Sequence, residues 1–210
     1  MANPTKSQEE SQGEYLSAMG ADLGPVFFAL HKEVVWLHAI WQEYRTIYGT
    51  TPEQLKIANR AAGFFFKIVQ DELWDSVLLR IARITDSPRS AGRANLTIQA
   101  LPGLIADAGL RLQVEELVGI SLDKAAFARE HRHKRLAHRD LLHATDASST
   151  LSGISRRYIE ESLESLRNVM NKLDAHYRDS TVMYQEFITS TGAERLLHVL
   201  KRAENAAVAP

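Results

Sequence analysis

The sequence predicts an all-α chain folded as an antiparallel helical bundle, and three observations carry that expectation. Proline is missing from the whole stretch between Gly103 and Ala209, so nothing there breaks a helix as proline does. Apolar residues recur at steps of three and four through most of the chain, which gathers them on one face of a helix. Sustained alternation of apolar and polar residues is absent, and there is no Asn-Gly or Asp-Gly pair to turn a hairpin. With 210 residues, 45% of them hydrophobic, the chain is long enough for one domain with a sizeable core.

The elements follow in order. Residues 1–24 read as a flexible or weakly helical N-terminal segment. A first strong helix follows Pro25, with Leu30, Val34, Leu37, Trp41, Tyr44 and Tyr48 on one face, and Gly49 stops it. Thr51 then caps a new helix, with Pro52 at its first position and Gln54 closing a capping box. Phe66, Val69, Leu73, Val77, Ile81 and Ile84 carry that helix to Asp86-Ser87-Pro88. Residues 88–95 (PRSAGRAN) read as a loop, and Leu96–Leu101 as a short helix. Gly103–Val118 is a weaker helix with Gly119 as its stop. Ser121 and Asp123 start another, running to about His143. Residues 144–152 form a polar linker. The clearest helix carries Ile159, Leu163, Leu166, Met170, Leu173 and Tyr177, and a last amphipathic segment spans 193–203. The bundle proper is thus expected over 25–180, with a C-terminal helix and tail over 181–210. The Phe64-Phe65-Phe66 cluster and Trp36, Trp41 and Trp74 read as core or as a subunit seam.

Composition removes several kinds of chemistry. With no cysteine there is no disulfide, thiolate zinc site, iron–sulfur cluster or thiol nucleophile, which fits a cytoplasmic protein. A net charge of -1 argues against coating nucleic acid through bulk charge, so any such contact needs a local basic patch. No apolar run reaches the length of a membrane span, and the first residues are polar, without a signal-peptide core. The G-x-S-x-G elbow, the G-x-G-x-x-G loop and the Walker pattern are all absent. Asp71, Glu72 and Asp75 read as carboxylates that pair with Arg80 or face solvent.

One segment concentrates positive charge. Between Ala128 and Asp140 lie Arg129, Arg132, Lys134, Arg135 and Arg139, together with His131, His133 and His138. On a helix, Arg135, His138 and Arg139 fall within about a third of the circumference from Arg132, with His131 close to His138. Guanidinium groups hold phosphate oxygens in a fork, and an imidazole moves protons near neutral pH, so this face suits a phosphodiester. Two blander readings stand beside it. One is a solvated basic helix face. The other is a metal site through His131, His133 and His138, which neighbouring cations and the divergence of residues two apart both oppose.

The run Arg132-His133-Lys134-Arg135-Leu136-Ala137-His138-Arg139-Asp140 resembles the signature of the HEPN superfamily. That signature is an arginine, usually a polar residue directly after it, and a histidine after four to six intervening residues; here five residues intervene, and His133 stands where asparagine or aspartate is more usual. A second stretch, Leu78–Leu101, is similar to the abortive-infection, U-type branch, in which an Arg-x-x-Asp pair (Arg83 and Asp86) ends a helix before an Asn-Leu step (Asn95 and Leu96). The resemblance implies an HEPN-like bundle that forms a homodimer and cleaves RNA without a metal or other cofactor, the ribose 2′-hydroxyl attacking the adjacent phosphate. It casts Arg132 and His138 as catalytic, as phosphate clamp and proton-transfer residue. His133, Lys134, Arg135 and Arg139 would bind substrate, His133 also orienting the motif, and Asp140 would support Arg139 or the helix end. RNA is the implied partner, alongside a neutralising protein as in toxin-type members. The alternatives are a non-catalytic nucleotide- or RNA-binding or protein-interaction dimer, and a structural dimer in which Arg132 and Arg139 pair with carboxylates.

Overall fold

The structure, a computed structural model, describes residues 7–132, 154–186 and 191–208. Among the described residues the structure is all-α apart from one small hairpin. Helix α1 spans Gln8–Tyr48 and α2 spans Pro52–Ile84. Strands β1 (Arg89–Ser90) and β2 (Arg93–Ala94) follow, then two short 3-10 turns at Ile98–Ala100 and Pro102–Leu104. Helices α3 (Ala108–Lys124), α4 (Ala126–His131), α5 (Arg156–Arg178) and α6 (Ala193–Val208) complete the described elements.

The described residues divide into two units. One takes the chain up to Val35 together with Leu78–Val182; the other takes Trp36–Val77 and the chain from Met183 onward. Two of the boundaries therefore fall inside α1 and α2.

In the first unit α1 starts at Gln8, well before Pro25, and is broken at Gly20. That residue has φ 82° and ψ 175°, a conformation that glycine adopts without a Cβ clash. The break lets the first segment fold back on the second. A Cβ at Gly24 would lie only 2.8 Å from the carbonyl oxygen of Tyr15 and 2.9 Å from the Cα of Leu16. The Tyr15 ring packs on Phe27 and Phe28 at centroid distances of 5.3 and 5.4 Å, and the Arg178 guanidinium lies over it at 4.1 Å. Leu23, Phe27, Leu30 and Val34 of α1 are buried, as are Leu78, Ile81 and Ala82 of α2 and Leu163, Leu166, Val169, Met170 and Leu173 of α5. Arg80 pairs with Glu33 at 2.8 Å; in the second unit Asp71 pairs with Lys67 at 2.5 Å.

Helix α3 differs from expectation at both ends. It begins at Ala108, capped by Asp107, whose side chain accepts from the Leu110 amide at 2.6 Å. It runs through Gly119 and ends at Lys124. Ser121 does not start a helix: its hydroxyl donates back to the Leu117 carbonyl at 3.0 Å, the i−4 bond open to a serine inside a helix. The break lies at Ala125, and α4 follows. Helix α5 starts at Ser155, as N-cap, and packs along α3. The Ser162 hydroxyl donates to the Lys124 carbonyl at 2.7 Å, satisfying one of the orphan carbonyls at the end of α3.

In the second unit the residues of α1 and α2 enclose an aromatic cluster. Trp41 stacks on Tyr44 at 5.2 Å and 6°, and the Tyr48 hydroxyl donates to the Phe66 carbonyl at 2.7 Å. The expected cap of α2 is present, with the Gln54 side chain accepting from the Thr51 amide at 3.0 Å. Phe66 and Trp41 are buried, whereas Phe64, Phe65 and Trp36 are exposed. Glu43 accepts from the Ala193 amide at the start of α6.

Candidate functional site

The site begins with the C-terminus of α2, where the last carbonyls of a helix have no partner within it. Thr97 and Gln99 supply partners from beyond the hairpin. The Thr97 hydroxyl is shared between the carbonyls of Ile84 at 2.9 Å and Asp86 at 2.7 Å. The Gln99 side chain donates from Nε2 to the carbonyls of Thr85 at 3.0 Å and Asp86 at 2.9 Å. With Thr97 fully buried, this clasp fixes the backbone that carries Asp86.

Helix α4 brings two arginines to this point. Arg129 donates to the Thr85 hydroxyl at 3.2 Å and to the Leu122 carbonyl at 2.7 Å, tying the ends of α2 and α3 to α4. Arg132, the C-cap of α4, meets Asp86 with both terminal nitrogens: Nη1 donates to Oδ2 at 2.6 Å and Nη2 to Oδ1 at 3.2 Å. Their side chains are 28% and 29% exposed, so the pair lies at the surface without being fully solvated. The hydrogen bond from Arg132 holds the Asp86 carboxyl below its ordinary range, despite partial burial working against it. A guanidinium gripped in this fork has its direction set.

Of the expected site residues, Arg132 is placed as the first residue beyond α4. His133, Lys134, Arg135, His138, Arg139 and Asp140 lie outside the described residues. His131 is buried, so it does not share the open side of Arg132. In the three-histidine metal reading, His133 and His138 also lie outside the described residues. Among the described residues no group of three histidine or carboxylate side chains is arranged to hold a metal ion, and no helix is long and apolar enough to cross a membrane.

Asp86 as the partner of Arg132 was not visible in the sequence. The two are 46 residues apart, and the Arg83-x-x-Asp86 spacing pointed to the segment without saying what Asp86 would hold. Thr97 and Gln99 were likewise missed, and Arg129 was read only as part of the basic segment, because a single sequence does not reveal which side chains cap a distant helix end.

No curated protein and no solved structure matches the chain. The family model for AbiU2, an abortive-infection branch of the HEPN domains, matches residues 21–196, a span that contains Asp86, Arg132 and His138. This chain belongs to the HEPN AbiU2 family.

Proposed function

We propose that the protein is a metal-independent endoribonuclease of phage-defence or toxin type, acting in the cytoplasm as a homodimer. The observation that carries this reading is the Arg132–Asp86 fork, which holds the arginine of the family motif in a fixed direction at a partly open surface. A cation oriented before substrate arrives stabilises charge developing on a phosphate without reorganising. In the proposed reaction the ribose 2′-oxygen attacks the adjacent phosphorus and the bond to the 5′-oxygen breaks. His138 takes the 2′-hydroxyl proton or returns one to the departing oxygen, leaving a cyclic phosphate and a free 5′-hydroxyl. Lys134, Arg135 and Arg139 bind flanking phosphates, His133 orients the motif, and Asp140 supports Arg139. The 2′-hydroxyl requirement selects RNA over DNA. A homodimer brings two motifs together, and a neutralising partner protein would restrain the activity.

Purified protein is expected to nick RNA in EDTA and to leave a DNA strand of the same sequence intact. Arg132→Ala or His138→Ala should lower the rate by at least about a hundredfold, in the range of general acid–base and charge-stabilising groups. Undiminished cleavage by the His138→Ala protein would overturn the assignment. A second reading, an RNA- or nucleotide-binding dimer without cleavage, is favoured by one observation: both terminal nitrogens of Arg132 are already engaged by Asp86. Salt-sensitive binding of RNA with no product would support it.

A further inference from the structure

Three arginines lie on the stretch of chain around Asp86 and take no part in the fork. Arg83 is on the last turn of α2, Arg89 on β1 and Arg93 on β2. All three are exposed, and no hydrogen bond, ion pair or ring contact engages their side chains among the described residues. Asp86 is the one acid between positions 83 and 95, and Arg132 neutralises it. Elsewhere Arg80, Lys124, Arg157, Arg178 and Lys201 each meet a carboxylate. In a chain of net charge -1, the hairpin is therefore a local excess of positive charge.

That charge sits on a prepared support. The turn between the strands has φ 47° at Ala91 and 78° at Gly92, the two positive values of the turn that matches strand twist. At the base, Asn95 donates from its amide to the Pro88 carbonyl at 2.9 Å, and from its side chain to the Ser87 carbonyl at 2.8 Å. The Thr97–Gln99 clasp then joins the base to Asp86. The register pairs Arg89 with Ala94 and Ser90 with Arg93, so the two arginines project from opposite faces of the ribbon. One small anion does not reach both faces, whereas a chain of phosphates that rounds the edge of the ribbon reaches one arginine on each. Between Asp86 and Asn95 there is no large apolar side chain of the kind that anchors a protein partner.

We infer that Arg83, Arg89 and Arg93 form a phosphate-binding surface for the backbone of single-stranded RNA, carried by the same clasped segment that holds Arg132. The inference rests on RNA as the ligand of the proposed function. It is tested with a fluorescently labelled oligouridine of about 20 nucleotides, long enough to track a basic surface. Binding is followed in EDTA over a range of salt concentrations, with His138→Ala protein as the parent so that the probe stays whole. Adding Arg89→Ala and Arg93→Ala together should weaken binding at least tenfold in low salt. It should also lower the slope of log affinity against log salt by about 1.4, two phosphates at about 0.7 each. Arg89→Lys with Arg93→Lys should restore the slope. Affinity within twofold of the parent, no binding by the parent, or poly-L-glutamate competing as well as RNA of equal charge would each overturn the inference, the last in favour of an acidic protein.

The outcomes separate this inference from the ribonuclease reading. Cleavage by the unmodified protein with binding unaffected in the double variant sinks the hairpin surface alone. Loss of binding in the double variant, with no cleavage by the unmodified protein, sinks the ribonuclease reading alone.

Discussion

At the scale of single residues, the chemistry of the site depends on Asp86 as much as on Arg132. A carboxylate and a guanidinium joined by two bonds, each about three-tenths exposed, form a pair that solvent screens only in part. Asp86→Asn and Arg132→Ala should each lower stability by about 1–2 kcal/mol in denaturant titrations, the range for hydrogen bonds to charged groups discounted for exposure. Because the two substitutions remove one interaction, the double variant should lose little more than the larger single loss; strictly additive losses would show that the fork contributes nothing. The sequence made Arg132 legible, since its spacing to His138 and its basic neighbours are local. Asp86 was legible as part of a segment and illegible as a partner, because pairing across 46 residues is a property of packing.

At the scale of elements, glycine and serine misled where tertiary contacts decide. Gly119 reads as a helix stop, yet α3 passes through it, exposed and with open space where a side chain would be. Gly24, which carries no sequence signal, is where two helical segments touch backbone to backbone. The contrast gives opposite expectations for the same substitution. Gly119→Ala should stabilise the protein by about 0.5–1 kcal/mol through helix propensity. Gly24→Ala should destabilise it by about 1–3 kcal/mol, since a methyl group there overlaps the Tyr15 carbonyl. Thermal melts of the two variants measure both, and a Gly24→Ala protein as stable as the parent would show that the fold-back relaxes freely. The hairpin escaped the sequence for a related reason: its turn is Ala91-Gly92, and placing alanine in the left-handed region costs about 1–2 kcal/mol, so propensity argues against it. The bonds made by Asn95, Thr97 and Gln99 around it offset that cost.

At the scale of the whole molecule, the all-α class and most helices were legible because apolar periodicity is a strong local signal, and proline placement agreed with it. The division into two units was not, since the periodicity of α1 and α2 runs unbroken across both boundaries. Stability should fall on acidification. Burial, reinforced by Arg178, lowers His31 to about 4, so the unfolded chain binds a proton that the folded one refuses between about 6.5 and 4. The stability His31 contributes is complete above pH 6.5 and is lost as pH falls through that window. Asp86, whose pKa is lowered, adds a further loss below the ordinary aspartate range. Asp174, raised by burial, acts in the opposite sense. Melting temperatures from pH 7 to 4.5 should drop more steeply for the unmodified protein than for His31→Gln; parallel profiles would exclude His31 as the source.

The placement of the unit boundaries within α1 and α2 also bears on how the molecule can be dissected. At Val35/Trp36 and Val77/Leu78 there is no flexible tether for a protease to nick or for an expression plasmid to end on. A fragment cut at either place would start or stop in mid-helix, with backbone amides or carbonyls stripped of their partners. Excision of one unit therefore requires a redesigned bridge between the severed helix ends, and the intact polypeptide is the smallest piece on which functional assays should be run.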